Sequence, residues 1–196
     1  SGALGEGGET WVETSVSGPG NVEFNWKINL PSTSGNLQFS IGANEARQIQ
    51  GNGGWLHERV YVPAGDHVLR WTYRRTVPEG TTPDPTGIGA WLDGVDYTLA
   101  TEPQVTTSAA SSIVEDAAES GGEGIDDGGA PLTARGVVLG SSPNPTLGNG
   151  TNFAAPLSVP SAFTVALGGL APGTTYHARA YATNDAGTGY GENLYF

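Results

Sequence analysis

The sequence predicts an all-β protein, on three observations. Turn formers are abundant, with 31 Gly and 13 Pro in 196 residues. Charged residues are only 14% of the chain, too few for the polar faces of long amphipathic helices or coiled coils. Apolar residues recur with a period of two, most clearly over residues 21–30. There Val22, Phe24, Trp26, Ile28 and Leu30 alternate with Asn21, Glu23, Asn25, Lys27 and Asn29, the pattern of a strand with one buried face. A chain of 196 residues holds one large domain or two small β-rich ones, at roughly 100 to 200 residues per domain. Composition favours two, because all five Trp precede residue 101 and the remainder reads as Ala, Gly, Thr and Ser with small apolar residues. Thr101-Glu102-Pro103 marks the junction, since proline stiffens a connector and stops strand continuation. The predicted domains are 1–101 and 102–196.

In the first domain, Leu37, Phe39 and Ile41 repeat the alternation of residues 21–30. Val60 and Val62 then lead through Pro63-Ala64-Gly65-Asp66 into a segment where Leu69, Trp71 and Tyr73 share a face, which predicts a hairpin turning at residues 63–66. A proline-rich loop is expected over 77–87 and a closing strand over 90–97. Short strands with turns between them point to a sandwich or jelly roll.

Several segments also resemble a known family. They are Glu9-Thr10-Trp11-Val12-Glu13-Thr14 ahead of Ser17-Gly18-Pro19-Gly20, then Phe24-Asn25-Trp26-Lys27, then residues 62–73, then Ala90-Trp91-Leu92-Asp93-Gly94-Val95. In this order, over most of residues 9–97, they resemble the jelly-roll domains appended to bacterial secreted and surface proteins, similar to the MAM and lectin-like sandwich superfamily. The resemblance implies a first strand upstream of residue 1, so the domain is expected to lack an edge or to pair incompletely there.

In the second domain, Leu170-Ala171-Pro172-Gly173-Thr174-Thr175-Tyr176 is followed by Ala178-Arg179-Ala180-Tyr181-Ala182-Thr183-Asn184 and by Ala186-Gly187-Thr188-Gly189-Tyr190-Gly191. These resemble the later strands of a fibronectin type III domain as it occurs in bacterial surface proteins, an immunoglobulin-like β-sandwich. Asp127-Gly128-Gly129-Ala130-Pro131-Leu132-Thr133-Ala134-Arg135-Gly136-Val137 and Ser142-Pro143-Asn144-Pro145-Thr146-Leu147 extend the likeness over about 103–196. It places Tyr176 where a tyrosine corner returns its hydroxyl to the backbone a few residues upstream. Ala178 stands where a larger β-branched residue is commoner, implying a thinner core. Gly191-Glu192-Asn193-Leu194-Tyr195-Phe196 has two readings, a protease-tag remnant or the family's final strand.

Charge and composition exclude several function classes. The net charge of −12 and pI near 4.4 repel a nucleic-acid backbone or an anionic membrane. No run approaches the roughly 20 apolar residues of a membrane helix. With Cys 0 there is no disulfide, thiolate zinc site or cysteine nucleophile, and the compartment stays undecided. Met 0 and the glycine-rich opening at Ser1 predict a fragment already without a signal peptide. The family resemblance implies a secreted or cell-surface bacterial location.

No catalytic constellation emerges. His57, His67 and His177 stand without a neighbouring motif, the last two expected on solvent-facing strand positions. The glycines fall in turns and open no phosphate-cradling helix. Glu115, Asp116, Glu119, Glu123, Asp126 and Asp127 cluster as a solvated strand edge and turn.

Binding chemistry is better placed. Trp26 and Trp71 sit at core parity, and Trp11 and Trp91 are expected in the core from their strand positions. Trp55 follows Gly51-Asn52-Gly53-Gly54, where its ring can stand exposed as a ligand platform or anchor the loop. Asn52 and His57 are candidate hydrogen-bonding partners beside it. Arg74 and Arg75 are a second candidate contact or a solvated strand end. Asp93 shares parity with Trp91, Val95 and Tyr97 on the expected inward face, where a carboxylate needs an arginine, backbone amides or a hard cation. The resembled family implies a structural calcium near such a residue; a bulge at Gly94 that turns Asp93 outward is the alternative.

The functional expectation is a non-catalytic extracellular accessory or spacer region of a bacterial protein, with the rest of the parent chain as partner and contacts to surface proteins. The alternative is a calcium-assisted carbohydrate-binding or adhesion module, with glycans on Trp55, Asn52 and His57 and calcium at Asp93.

Overall fold

A computed structural model describes residues 8–30, 34–76, 89–157 and 162–196. Its elements are all strands, as the composition predicted. The chain divides into two compact units, Ser1–Leu99 and Ala100–Phe196. The loop expected over 77–87 and the opening at Ser1 lie outside the described residues.

The first unit is one antiparallel sheet of β1 (Glu9–Asn29), β2 (Gly35–Ile41), β3 (Asn44–Ile49), β4 (Leu56–Arg75) and β5 (Gly89–Leu99), in the order β3-β2-β4-β1-β5. At about 3.3 Å per residue, strands of 21 and 20 residues, as in β1 and β4, are far too long to cover one small core flat. The pair bends together instead. Pairing runs from Glu9↔Arg74 to Trp26↔Leu56, with a register shift only between Gly18 and Gly20. Gly18 lies opposite Gly65 there, and a Cβ on Gly18 would fall 1.8 Å from the Pro63 carbonyl oxygen, so only glycine permits this approach. Beyond the corner the sheet returns over itself. Phe24 on one layer meets Phe39 and Trp71 on the other, with ring centroids 4.9 and 5.2 Å apart. The hairpin expected at residues 63–66 is therefore absent: Pro63-Ala64-Gly65-Asp66 is a mid-strand corner within β4, and Val60 and Leu69 belong to one continuous strand. Proline and glycine interrupt the alternation equally for a turn and for a corner, and the matching glycines of β1 decide between them.

The alternating residues behave as predicted. Val22, Phe24, Trp26, Ile28 and Leu30 are buried with Phe39, Leu69 and Trp71 between the layers, and Phe24 packs edge-on against both indoles. β5 departs from expectation. Glu23 pairs with Asp96 and Asn25 with Asp93, so Gly94 and Val95 together oppose Phe24. This is a bulge, made possible by Gly94 at φ +59°. The extra residue reverses the parity: Ala90, Leu92 and Tyr97 pack on the core, whereas Trp91 and Asp93 face outward.

The second unit has β6 (Gln104–Ser111), β7 (Ala117–Asp126), β8 (Ala134–Gly140), β9 (Thr151–Ala154), β10 (Phe163–Gly168), β11 (His177–Asn184), β12 (Gly187–Tyr190) and β13 (Leu194–Tyr195). One sheet runs β10-β7-β6; the other runs β12-β11-β8-β9 with β13 also on β11. This is an immunoglobulin-like sandwich in strand order. Its core uses small residues: Ala118, Ala178 and Ala180 are buried with Val137, Phe163 and Leu167. A Cβ on Gly122 would lie 2.9 Å from that of Ala180, so the sheets approach closely there. The Ala171 amide donates to Tyr176 Oη at 2.9 Å, the expected tyrosine corner. Tyr176 and Phe196 exchange two backbone hydrogen bonds of 3.0 and 3.1 Å and their rings stack, so residues 191–196 close this sheet. His67 and His177, expected toward solvent, are half-buried. The His67 ring lies 3.3 Å from the Ala64 carbonyl and that of His177 lies 3.0 Å from the Asn193 amide.

Candidate ligand-binding face

The layer formed by the first half of β4, the second half of β1 and β5 turns one face to the core and the other to solvent. Because Phe24 and Trp26 point inward, Glu23, Asn25 and Lys27 point outward. Register then assembles neighbours on that face. Asn25 lies between His57 of β4 and Asp93 of β5, Glu23 lies between Arg59 and Asp96, and Lys27 lies beside Trp91.

Trp55 completes the Lys27 row. The Lys27 ammonium stands 5.4 Å from the Trp55 ring centroid and 4.5 Å from that of Trp91. One cation thus holds two indoles in place, an interaction worth about 0.5–1 kcal/mol at an exposed site. The two residues remain 49% and 39% exposed. The loop before Trp55 is fixed by its backbone: Asn52 bridges Asn29, the Leu30 amide donates to Gly51, and the Gly53 amide donates to Ile28 at 3.2 Å. Anchoring therefore needs no indole burial, and the ring is left outside.

The four sequence-predicted residues fall on or beside this face. Trp55 and His57 share it, Asp93 stands across Asn25 from His57, and Asn52 lies at its end next to Asn29. His57 Nε2 is 3.9 Å and Arg59 Nε 3.4 Å from the Glu23 carboxylate. Two expectations are corrected. Trp91 is not a core residue, because the bulge turns it out. Trp11 is also 52% exposed; it pairs with Thr72 on the outward side of β4 and lies 5.3 Å from the Arg70 guanidinium. Arg74 is engaged by Glu9 at 3.1 Å and by Gln38 at 3.0 Å.

Asp93 is exposed rather than buried, and its Oδ1 accepts the Gly94 amide at 2.8 Å. The desolvation that required a cation at this carboxylate is absent. Among the described residues no group of three or more His, Asp or Glu is placed to hold a metal ion. Lys27, Asn25 and Trp91 were not singled out from the sequence. The parity of Lys27 was legible, but its partners depend on which residue of β5 the bulge sets beside it.

No known family matches the chain, and no curated protein does either. Among solved structures it is similar to the FN1–FN3 domains of chicken CNTN1, at 11% identity over 88% of this chain and 55% of that one, with TM-score 0.43. It is also similar to a β-glucuronidase from Ruminococcus gnavus, at 11% identity over 97% of this chain and 36% of that one, with TM-score 0.29. A GH2 β-galacturonidase from Eisenbergiella tayi matches at 11% identity over 97% and 35%, with TM-score 0.32. The chain spans between about a third and just over half of these structures. At these scores the likeness assigns neither family nor function.

Proposed function

We propose that the chain is a non-catalytic accessory region of a bacterial secreted or surface protein, in which the second unit is a spacer and the first presents a carbohydrate-binding face. The observation that carries this is the pair of exposed indoles, Trp55 and Trp91, held by Lys27 beside Asn25, His57 and Asp93. Pyranose rings stack their apolar faces on indoles and offer hydroxyls to neighbouring amides, imidazoles and carboxylates. Half-covering an indole leaves on the order of 2 kcal/mol of apolar burial for a ligand to gain. Nothing in this geometry requires a metal.

The test is affinity electrophoresis of the chain against a set of soluble polysaccharides, in calcium and after chelation. Retardation is expected in both conditions, with Trp55→Ala and Trp91→Ala each weakening it at least tenfold and Trp11→Ala leaving it unchanged. Loss of binding on chelation would instead put calcium at Asp93. Equal binding by Trp55→Ala and the parent would refute the site, and hydrolysis of any polysaccharide would refute the non-catalytic reading.

A further inference from the structure

A second surface lies on the other layer of the first unit. Among the described residues, β1 over residues 9–17 pairs with β4 alone, since its pairing with β5 begins at Gly20. The alternation of the ladder can be read from its ends. The Arg75 amide donates to Gly8 of the β1 side, whereas the Thr76 amide donates to Ser34 of the β2 side. Odd residues of β4 therefore bond β1 here, and by the register Glu9, Trp11, Glu13 and Ser15 turn their N–H and C=O groups away from β4. The neighbouring Ser17 carbonyl does the same and accepts the Tyr97 hydroxyl at 3.1 Å.

The usual protections of such an edge are missing among the described residues. Residues 9–17 contain no proline, their charges Glu13 and Glu9 are tied to Arg70 and Arg74 on the outer face, and Thr, Val and Trp favour extended backbone. Beneath the edge, a cleft opens between the layers; its lining includes Val12, Leu37, Trp71, Tyr73 and Leu92, with Trp91 of the indole face at its border. Val12 faces this side, opposite Trp71, and is nonetheless 53% exposed. Trp71 Nε1 is buried and has no hydrogen-bond partner among the described residues.

We propose that this edge is a strand-addition site for an extended polypeptide segment. Its backbone would pair with Glu9, Trp11, Glu13 and Ser15, and its alternate apolar side chains would enter the cleft. An unpaired row of amides and carbonyls is complementary only to another extended backbone, and a cleft on one side of it takes every second side chain. The charge of the chain selects the partner: a net −12 opposes a second copy and favours a neutral or basic segment. The cleft borders the indole face, since Trp91 also lines it, but the edge backbone lies outside that face. Ser15→Pro and Val12→Asp leave Trp55, Lys27 and Trp91 in place, so strand addition is tested apart from carbohydrate binding.

The probe is a blocked octapeptide alternating Val with Lys and Thr, added to the full chain and followed by amide hydrogen exchange. The amides of Trp11, Glu13 and Ser15 are expected to slow at least tenfold in a saturable way. Ser15→Pro removes an outward amide without breaking a bond to β4, so it should weaken peptide binding at least tenfold while leaving the melting temperature near the parent's. Val12→Asp, which keeps the edge amides and places a carboxylate at the cleft, should weaken it equally. Unchanged exchange at these amides would overturn the proposal, as would full binding by either variant. Protection that rises with protein concentration in the absence of peptide would assign the edge to a second copy and overturn it too.

Discussion

At the scale of single residues, burial sets both packing and titration. Burial pushes the phenols of Tyr73, Tyr97 and Tyr181 above their ordinary value; Arg75 opposes this at Tyr73, and at Tyr181 Asn152 opposes it while Tyr190 adds to it. A raised phenol pKa means that the folded state prefers the neutral form. The associated stability is complete below the unfolded value of about 10 and is lost as pH rises through the higher folded values. The melting temperature should therefore hold level from neutral pH until about pH 10 and fall above it, with a shallower fall in Tyr181→Phe. An unaltered alkaline slope in that variant would contradict the assignment. The tryptophans show what one residue discloses in sequence. Trp26 and Trp71 sit in unambiguous alternation, and Trp55 announces itself by the glycines before it. Trp11 was misplaced because Glu-Thr-Trp-Val-Glu-Thr alternates acceptably in either phase, and only pairing with Thr72 fixes its side.

At the scale of elements, two glycines redirect the chain. Gly18 lets β1 and β4 bend together, and Gly94 lets β5 take an extra residue and turn Trp91 outward. The binding face depends on both, since the corner separates it from the layer carrying Trp11 and the bulge supplies one of its two indoles. Gly18→Ala forces a methyl group into the Pro63 carbonyl and should destabilise the first unit by about 2 kcal/mol or more in urea denaturation. A loss below about 0.5 kcal/mol would show that the corner accommodates a side chain. The strands themselves were legible because period-two alternation is local. Their continuity was not, because a proline-glycine interruption acquires its meaning from the strand opposite. In the second unit the corner tyrosine was legible by contrast, since the Tyr176 hydroxyl and its Ala171 partner are only five residues apart.

For the whole molecule, the two units have separate cores, and the proposed function rests on the indole face of the first unit. The five tryptophans are built-in reporters of that claim. Trp26 and Trp71 are buried, Trp11 lies on the other layer, and Trp55 and Trp91 flank Lys27. The decisive measurement is a 15N NMR titration of the indole N–H signals with soluble cello-, xylo- and mannooligosaccharides. Saturable shifts are expected at Trp55 and Trp91, with Trp11, Trp26 and Trp71 unmoved. Absence of any shift, or shifts confined to Trp11, would contradict the account.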